Sequence, residues 1–234
     1  MGWAFVETIK YRSLLIKNMN QKRVALINSL KDERSKKVIF LSHCLLNENT
    51  RYLGGAFRKG VVSEVLEDIQ KRGIGIVKME CPEQKAWGGV LKSYMWIQLY
   101  LKSPLLLKIF LPFFIWNTKR IYKRIAKGVI DEIRDYEKSG FHVVGIVGVS
   151  ASPTCGVTKS VKISSFIKFM EKSNPREINR EKLNKEYIMG SLVNNSGLFI
   201  EELKKMLEKK KINVRFYEYD FVKEIEGKKS SIRL

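Results

Sequence analysis

Apolar residues recur along this chain at two spacings, one suited to strands and one to helices, and their alternation predicts an α/β fold. Four runs read as strands: Val38–Leu41, Ile74–Met79, His142–Val149 and Asn213–Tyr219. The first is short, β-branched and aromatic, as expected of a buried strand. Three stretches carry helical stripes. Over Gly60–Arg72, Val62, Val65, Leu66 and Ile69 share one face and Gly73 is a natural C-cap. Over Ile121–Tyr136 the stripe is Ile121, Ile125, Val129, Ile133 and Tyr136, closed by Gly140; over Leu198–Lys209 it is Leu198, Leu203, Met206 and Leu207. A weaker stripe, Val24, Ile27 and Leu30, predicts a short amphipathic helix over Gln21–Lys36. Strand, helix and strand at the first spacing predict a right-handed βαβ crossover. The expected architecture is a single α/β domain, a mainly parallel sheet flanked by helices in a Rossmann-like arrangement. Its expected extent is 37–225, after an N-terminal arm or helix (1–36) and before a polar tail (226–234).

Two stretches break the alternation. Residues 86–117 are too apolar for an exposed loop. A membrane span needs about 20 predominantly apolar residues with few charges, whereas this stretch carries Lys102, Lys108, Pro104 and Pro112. An inserted lid, core layer or dimer face is expected. The second reading is a surface-lying membrane contact through 93–127, helped by the basic residues that follow. Residues 157–190 are polar and weakly patterned, with a short helix expected around Ser165–Glu171 and a break at Asn174-Pro175.

Composition changes the picture in one respect. With 44% hydrophobic and 29% charged residues the chain is ordinary for a globular protein, but its net charge of +20 is not. Such a surface attracts RNA, anionic lipid or anionic metabolites; the bland reading is a solvated lysine-rich face. Three widely spaced cysteines without a secretory signal point to the cytoplasm. For Met1–Asn18 two readings stay open, an amphipathic arm or a gene start truly at Met19.

The candidate chemistry lies in those three cysteines, because each follows a predicted strand. Cys44 comes after Val38–Leu41, Cys81 after Gly75–Met79 and Cys155 after His142–Val149. Parallel strands would bring all three thiols to one sheet edge, where open α/β sheets bind ligands. Four thiolates would close a structural site; three leave a position vacant. Two readings from other classes stand beside a metal or cluster. One is a cysteine-nucleophile hydrolase with His43 or His142 as base. The other is a basic nucleic-acid or membrane-surface binding protein with a structural cluster.

The loops around the cysteines add to this. SHCLLNENTRY, ECPEQKAWGG and ASPTCG resemble, in order and spacing, the three signature loops of the thiouracil desulfidase family. The resemblance covers about half the chain. It implies a [4Fe–4S] cluster on Cys44, Cys81 and Cys155 and hydrolytic removal of sulfur, as sulfide, from a thiolated nucleobase, nucleotide or related heterocycle. It further implies catalytic roles for Glu83 and Ser152, and substrate binding by Ser152, Arg51 and Tyr52. Glu83 could equally cap a helix or pair with Arg51, and Arg51 and Tyr52 could simply hold their loop. His43, beside a ligand, is expected to point the other way as a structural residue. Gly54, Gly55, Gly88 and Gly89 are expected to permit tight turns. The chain departs from the family at Leu53, where an Asp usually follows Arg-Tyr, and lacks the Pro/Arg-containing run after the Gly-Gly pair.

Overall fold

The computed structural model describes the chain except for residues 1, 31, 100–103, 166–168, 170–173 and 233; the side chains of 2–10, 27, 97–99, 104–109 and 175 are also left undescribed. Its centre is a four-stranded parallel sheet of β1 (Lys37–Leu41), β2 (Gly75–Lys78), β3 (His142–Val149) and β6 (Phe216–Tyr219), ordered β2-β1-β3-β6. A small antiparallel ladder, β4 (Ser160–Val161) with β5 (Leu192–Val193), stands apart. The helices in chain order are α1 (Gly2–Ser29), α2 (His43–Leu46), α3 (Ser63–Lys71), α4 (Pro82–Ala86), α5 (Pro104–Lys138), α6 (Leu198–Lys209) and α7 (Phe221–Ile225).

The two-residue period of β1 divides the core. Val38 and Phe40 enter one apolar cluster, Ile39 and Leu41 the other. On the first face pack α5, through Tyr122, Ile125, Ala126, Val129, Ile130 and Ile133, and α6, through Phe199, Ile200, Leu203 and Leu207. The second face takes Val65 and Ile69 of α3 and Phe221 of α7. Each fully buried Val, Leu, Ile or Phe among them contributes roughly 1.5–3 kcal/mol. The result is an α/β domain with a four-stranded parallel sheet flanked by helices, as expected, an arrangement consistent with a Rossmann-like fold.

Several expectations need correction. The helix expected over Ile121–Tyr136 extends back to Pro104, so the second half of the apolar stretch is the first part of α5 rather than a separate insert. Of its first half, Trp87 is buried while Val90, Leu91 and Tyr94 are exposed. Strand β2 is an edge strand with Ile76 exposed. Of the helix expected over Gln21–Lys36 only the part up to Ser29 is helical, as the end of the longer α1, and its stripe is not core: Leu30 is exposed, Val24 is only half-buried, and the Ile27 side chain lies outside the described residues. Residues 226–234 do not hang free, because Ile232 is buried in the second cluster. The helix expected around Ser165–Glu171 lies largely outside the described residues.

Candidate functional site

In the order β2-β1-β3-β6 the chain leaves β1 toward β2 on one side and reaches β3 on the other. The crevice beyond the carboxyl ends of β1 and β3 is therefore a topological switch point. All three cysteine loops leave the sheet at this edge. A cavity of about 100 Å³ lies there, and Cys44, Cys81 and Cys155 all line it, with Glu83, Ser152, Arg51, Tyr52, Lys92 and Thr154.

Each loop holds its cysteine differently. After β1, Ser42 anchors the turn by donating from Oγ to the Val147 carbonyl at 2.9 Å, and Cys44 sits in the single turn of α2. After β2, Cys81 is the N-cap of α4: its Sγ accepts from the Gln84 N–H at 3.4 Å, and Pro82 occupies the first turn, where no N–H is needed. After β3, the Ser152 hydroxyl accepts from the Cys155 N–H at 2.9 Å and from the Thr154 N–H at 3.3 Å. Gly148 lets this loop fold back on its strand, since a Cβ there would collide with the Cys155 carbonyl.

Glu83 is held from both sides. Thr154 Oγ1 donates to its Oε1 at 2.9 Å, with Ser152 Oγ 3.4 Å from the same oxygen, and Lys92 Nζ lies 3.5 Å from Oε2. Lys92 is 3% exposed and also donates to the Thr50 carbonyl. An ammonium this deep needs such partners, because its desolvation costs several kcal/mol. Lys92 and Ala151 both have positive φ, +53° and +61°, and both line the cavity. Backbone strain of this kind collects at functional sites.

Burial is the main cause that raises all three thiols above the ordinary cysteine range; Cys81 is pushed up to about 12. For Cys155 the next causes are Cys44 and Cys81 themselves, so the three sulfurs lie within electrostatic reach of one another. Reactive cysteines show the opposite shift. Among the described residues no three His, Cys, Asp or Glu side chains converge tightly enough for a single metal ion. A cluster asks something else of the protein. Each thiolate binds its own iron, so the sulfurs surround a volume instead of meeting at a point. Two buried donors stand nearby: among the described residues the Trp87 indole N–H, at the cavity wall, and the Tyr122 hydroxyl, within electrostatic reach of Glu83, Cys155 and Cys81, have no hydrogen-bond partner. Donors of this type suit sulfur acceptors. The donor set thus fits a three-cysteine cluster.

The remaining expected residues divide. Glu83 does not pair with Arg51. The Arg51 guanidinium is buried and tied to Glu224 Oε2 at 2.9 Å and Glu48 Oε1 at 3.2 Å, and stacks over Phe221 at 4.9 Å. The Tyr52 hydroxyl donates to Asn184 Oδ1. Both side chains still border the cavity; the Tyr52 hydroxyl and Arg51 Nη1 are engaged by the protein, whereas Arg51 Nε has no hydrogen-bond partner among the described residues. His43 does line the cavity, contrary to expectation, because the chain turns helical directly after β1 and neighbours then differ by about 100° instead of alternating. Burial, with Lys78 and Lys92, lowers its pKa. His142 opens β3 at the opposite edge of the sheet, beyond reach of the cysteines. Leu53 is exposed and is not part of the cavity wall. Gly54, Gly88 and Gly89 have positive φ, as turn glycines should, whereas a Cβ on Gly55 would strike the Tyr52 ring.

Lys92, Thr154, Trp87 and Tyr122 were not singled out by the sequence. Thr154 and Trp87 stand inside the cysteine motifs, and a lone lysine between Gly88-Gly89 and an aromatic run was the available signal for Lys92. Tyr122 carried none, as it is one apolar position of a helix stripe.

No protein-family profile matches the chain, and no solved structure matches it. An uncharacterized protein of Methanocaldococcus jannaschii is 24% identical over 179 residues, which span 75% of this chain and 99% of that protein.

Proposed function

We propose that the cavity at the carboxyl edge of the sheet holds a [4Fe–4S] cluster on Cys44, Cys81 and Cys155 and hydrolyses a thiocarbonyl in a planar heterocycle such as a thiolated nucleobase or nucleotide. The observation that carries this reading is the joint placement of three thiols, those of Cys81 and Cys155 buried and that of Cys44 half-buried, and Glu83 around one cavity. When bound, a cluster on three cysteines leaves one iron without a protein ligand, which supplies Lewis acidity toward sulfur.

The chain's own residues do the rest. Met95, Trp96, Tyr187 and Phe221 give apolar wall against which a planar ring can lie. Glu83 Oε1 faces the Ser152 and Thr154 hydroxyls and takes the proton of the attacking water. Lys92, against the other carboxylate oxygen, keeps Glu83 in place and adds positive charge where negative charge develops. Ser152 orients the Cys155 backbone and, through its hydroxyl, the substrate's polar edge. The overall change is C=S plus water to C=O plus hydrogen sulfide, with no change of oxidation state. A reducing compartment such as the cytoplasm suits three free thiols.

The test is sulfide release from 2-thiouracil or a thiouridine phosphate under anaerobic conditions. Glu83→Gln should lower the rate by about 10²-fold or more while iron content and visible spectrum stay as in wild type. Equal rates in the two proteins would remove Glu83 from the mechanism.

A further inference from the structure

Helix α5 has a solvent face that changes character along its length. Its buried positions after Leu111 are Phe114, Thr118, Tyr122, Ile125, Ala126, Val129, Ile130 and Ile133, so the opposite face is free of the core. The first part of that face is apolar: Phe113 is 63% exposed and Trp116, three residues on, 56%. The next part is basic, with Lys119, Arg120, Lys123, Arg124 and Lys127 all exposed, and no acidic residue occurs between Pro112 and Gly128. The two parts join where the Arg120 guanidinium lies over the Trp116 ring at 5.6 Å, beside the Phe113 ring 5.9 Å from Trp116. The loop after α4 is tied to the same end of the helix by Trp87 against Phe114, centroids 6.4 Å apart, and exposes Val90, Leu91 and Tyr94.

We infer that this face of α5 docks on an anionic lipid surface, with Phe113 and Trp116 entering the interface and Lys119, Arg120, Lys123, Arg124 and Lys127 meeting the headgroup phosphates. This does not depend on the proposed reaction. Three observations select the occupant. Apolar residues at one end and cations over the following turns match a medium layered by depth, in which aromatic rings sit at headgroup level and basic side chains reach outward. Aliphatic Val90 and Leu91, exposed beside this end of the helix, gain nothing from stacking on RNA bases. A second copy of the face would bring five like charges against five. No described helix is long and apolar enough to cross a membrane, so the contact lies on the surface. Leu91 also lines the cavity, which puts the mouth of the site beside the docking face.

The test is co-sedimentation of the full chain with vesicles of phosphatidylcholine alone and of phosphatidylcholine with about 30% phosphatidylglycerol. The wild type should partition onto the anionic vesicles at least about tenfold better than onto the neutral ones, and less so as salt rises. Phe113→Ser with Trp116→Ser, and separately Lys119→Glu with Lys123→Glu, should each lower that partition about tenfold or more while circular dichroism stays unchanged. These positions are exposed, so folding should survive; wild-type binding is the primary reading if either variant fails to fold. Absence of vesicle binding at low salt, or equal binding to both lipid mixtures, overturns the inference. So does binding to single-stranded RNA, or dimerisation lost in the serine variant, with no vesicle binding in either case.

Discussion

Arg51 shows how much of the cavity wall is built for stability. Its guanidinium lies in a buried network with Glu48 and Glu224, and Arg58 joins the same two carboxylates from the half-buried side. Removing one member of such a network leaves charge unpaired in the interior, at a cost of about 3–5 kcal/mol for an isolated pair. Glu224→Ala should therefore lower unfolding free energy in urea by about 3 kcal/mol, or somewhat less because Glu48 remains. A substrate-binding role for Arg51 predicts something else, a raised KM at unchanged stability. The arginine in the Arg-Tyr motif was visible in the sequence. Its distant partner was not, because Glu224 is 173 residues away and only the fold joins them. The same limit explains Lys92, whose carboxylate partner Glu83 is named by its motif while the lysine itself carries no signature. His43 was misjudged for a different reason: strand alternation was carried one residue too far, into a helical turn.

At the scale of elements, the cysteine loops depend on close backbone approaches that no motif states. Gly148 lies within β3, and Cys155 returns across it. The ladder bonds show the fold-back: the Val149 N–H donates to the Cys155 carbonyl at 2.9 Å, and the Ala151 N–H to the Lys159 carbonyl at 3.0 Å. Gly148→Ala should displace this loop, lower stability by about 1–3 kcal/mol and reduce iron bound per chain. Retained iron at reduced stability would separate strand packing from cysteine placement. The sequence was most informative where periodicity is strong. His142–Val149 and Leu198–Lys209 have the bounds that their stripes predict. It was least informative where an apolar segment lacks a period, as over 86–117, since a helix continuing into α5 and a lid are equally apolar. The short β4–β5 ladder was also missed, because two-residue strands in a polar stretch leave no alternation to detect.

For the molecule as a whole, the parallel order β2-β1-β3-β6 does the chemical work: it converts three distant cysteines into neighbours at one edge. The βα pattern made that edge legible before any coordinate. What the pattern could not supply was the surrounding shell, the Lys92–Glu83–Thr154 contacts and the donors Trp87 and Tyr122, which come from helices on one face of the sheet and loops at its end. The basic charge likewise gained meaning only when α5 sorted part of it onto one face beyond an apolar tip. The measurement closest to the central claim is iron and sulfide analysis, with a visible spectrum, of protein purified without oxygen. The account predicts brown protein with about four irons per chain, lost in each of Cys44→Ala, Cys81→Ala and Cys155→Ala. Colourless, iron-free wild-type protein under those conditions, or a cysteine variant that keeps its full iron, would contradict it.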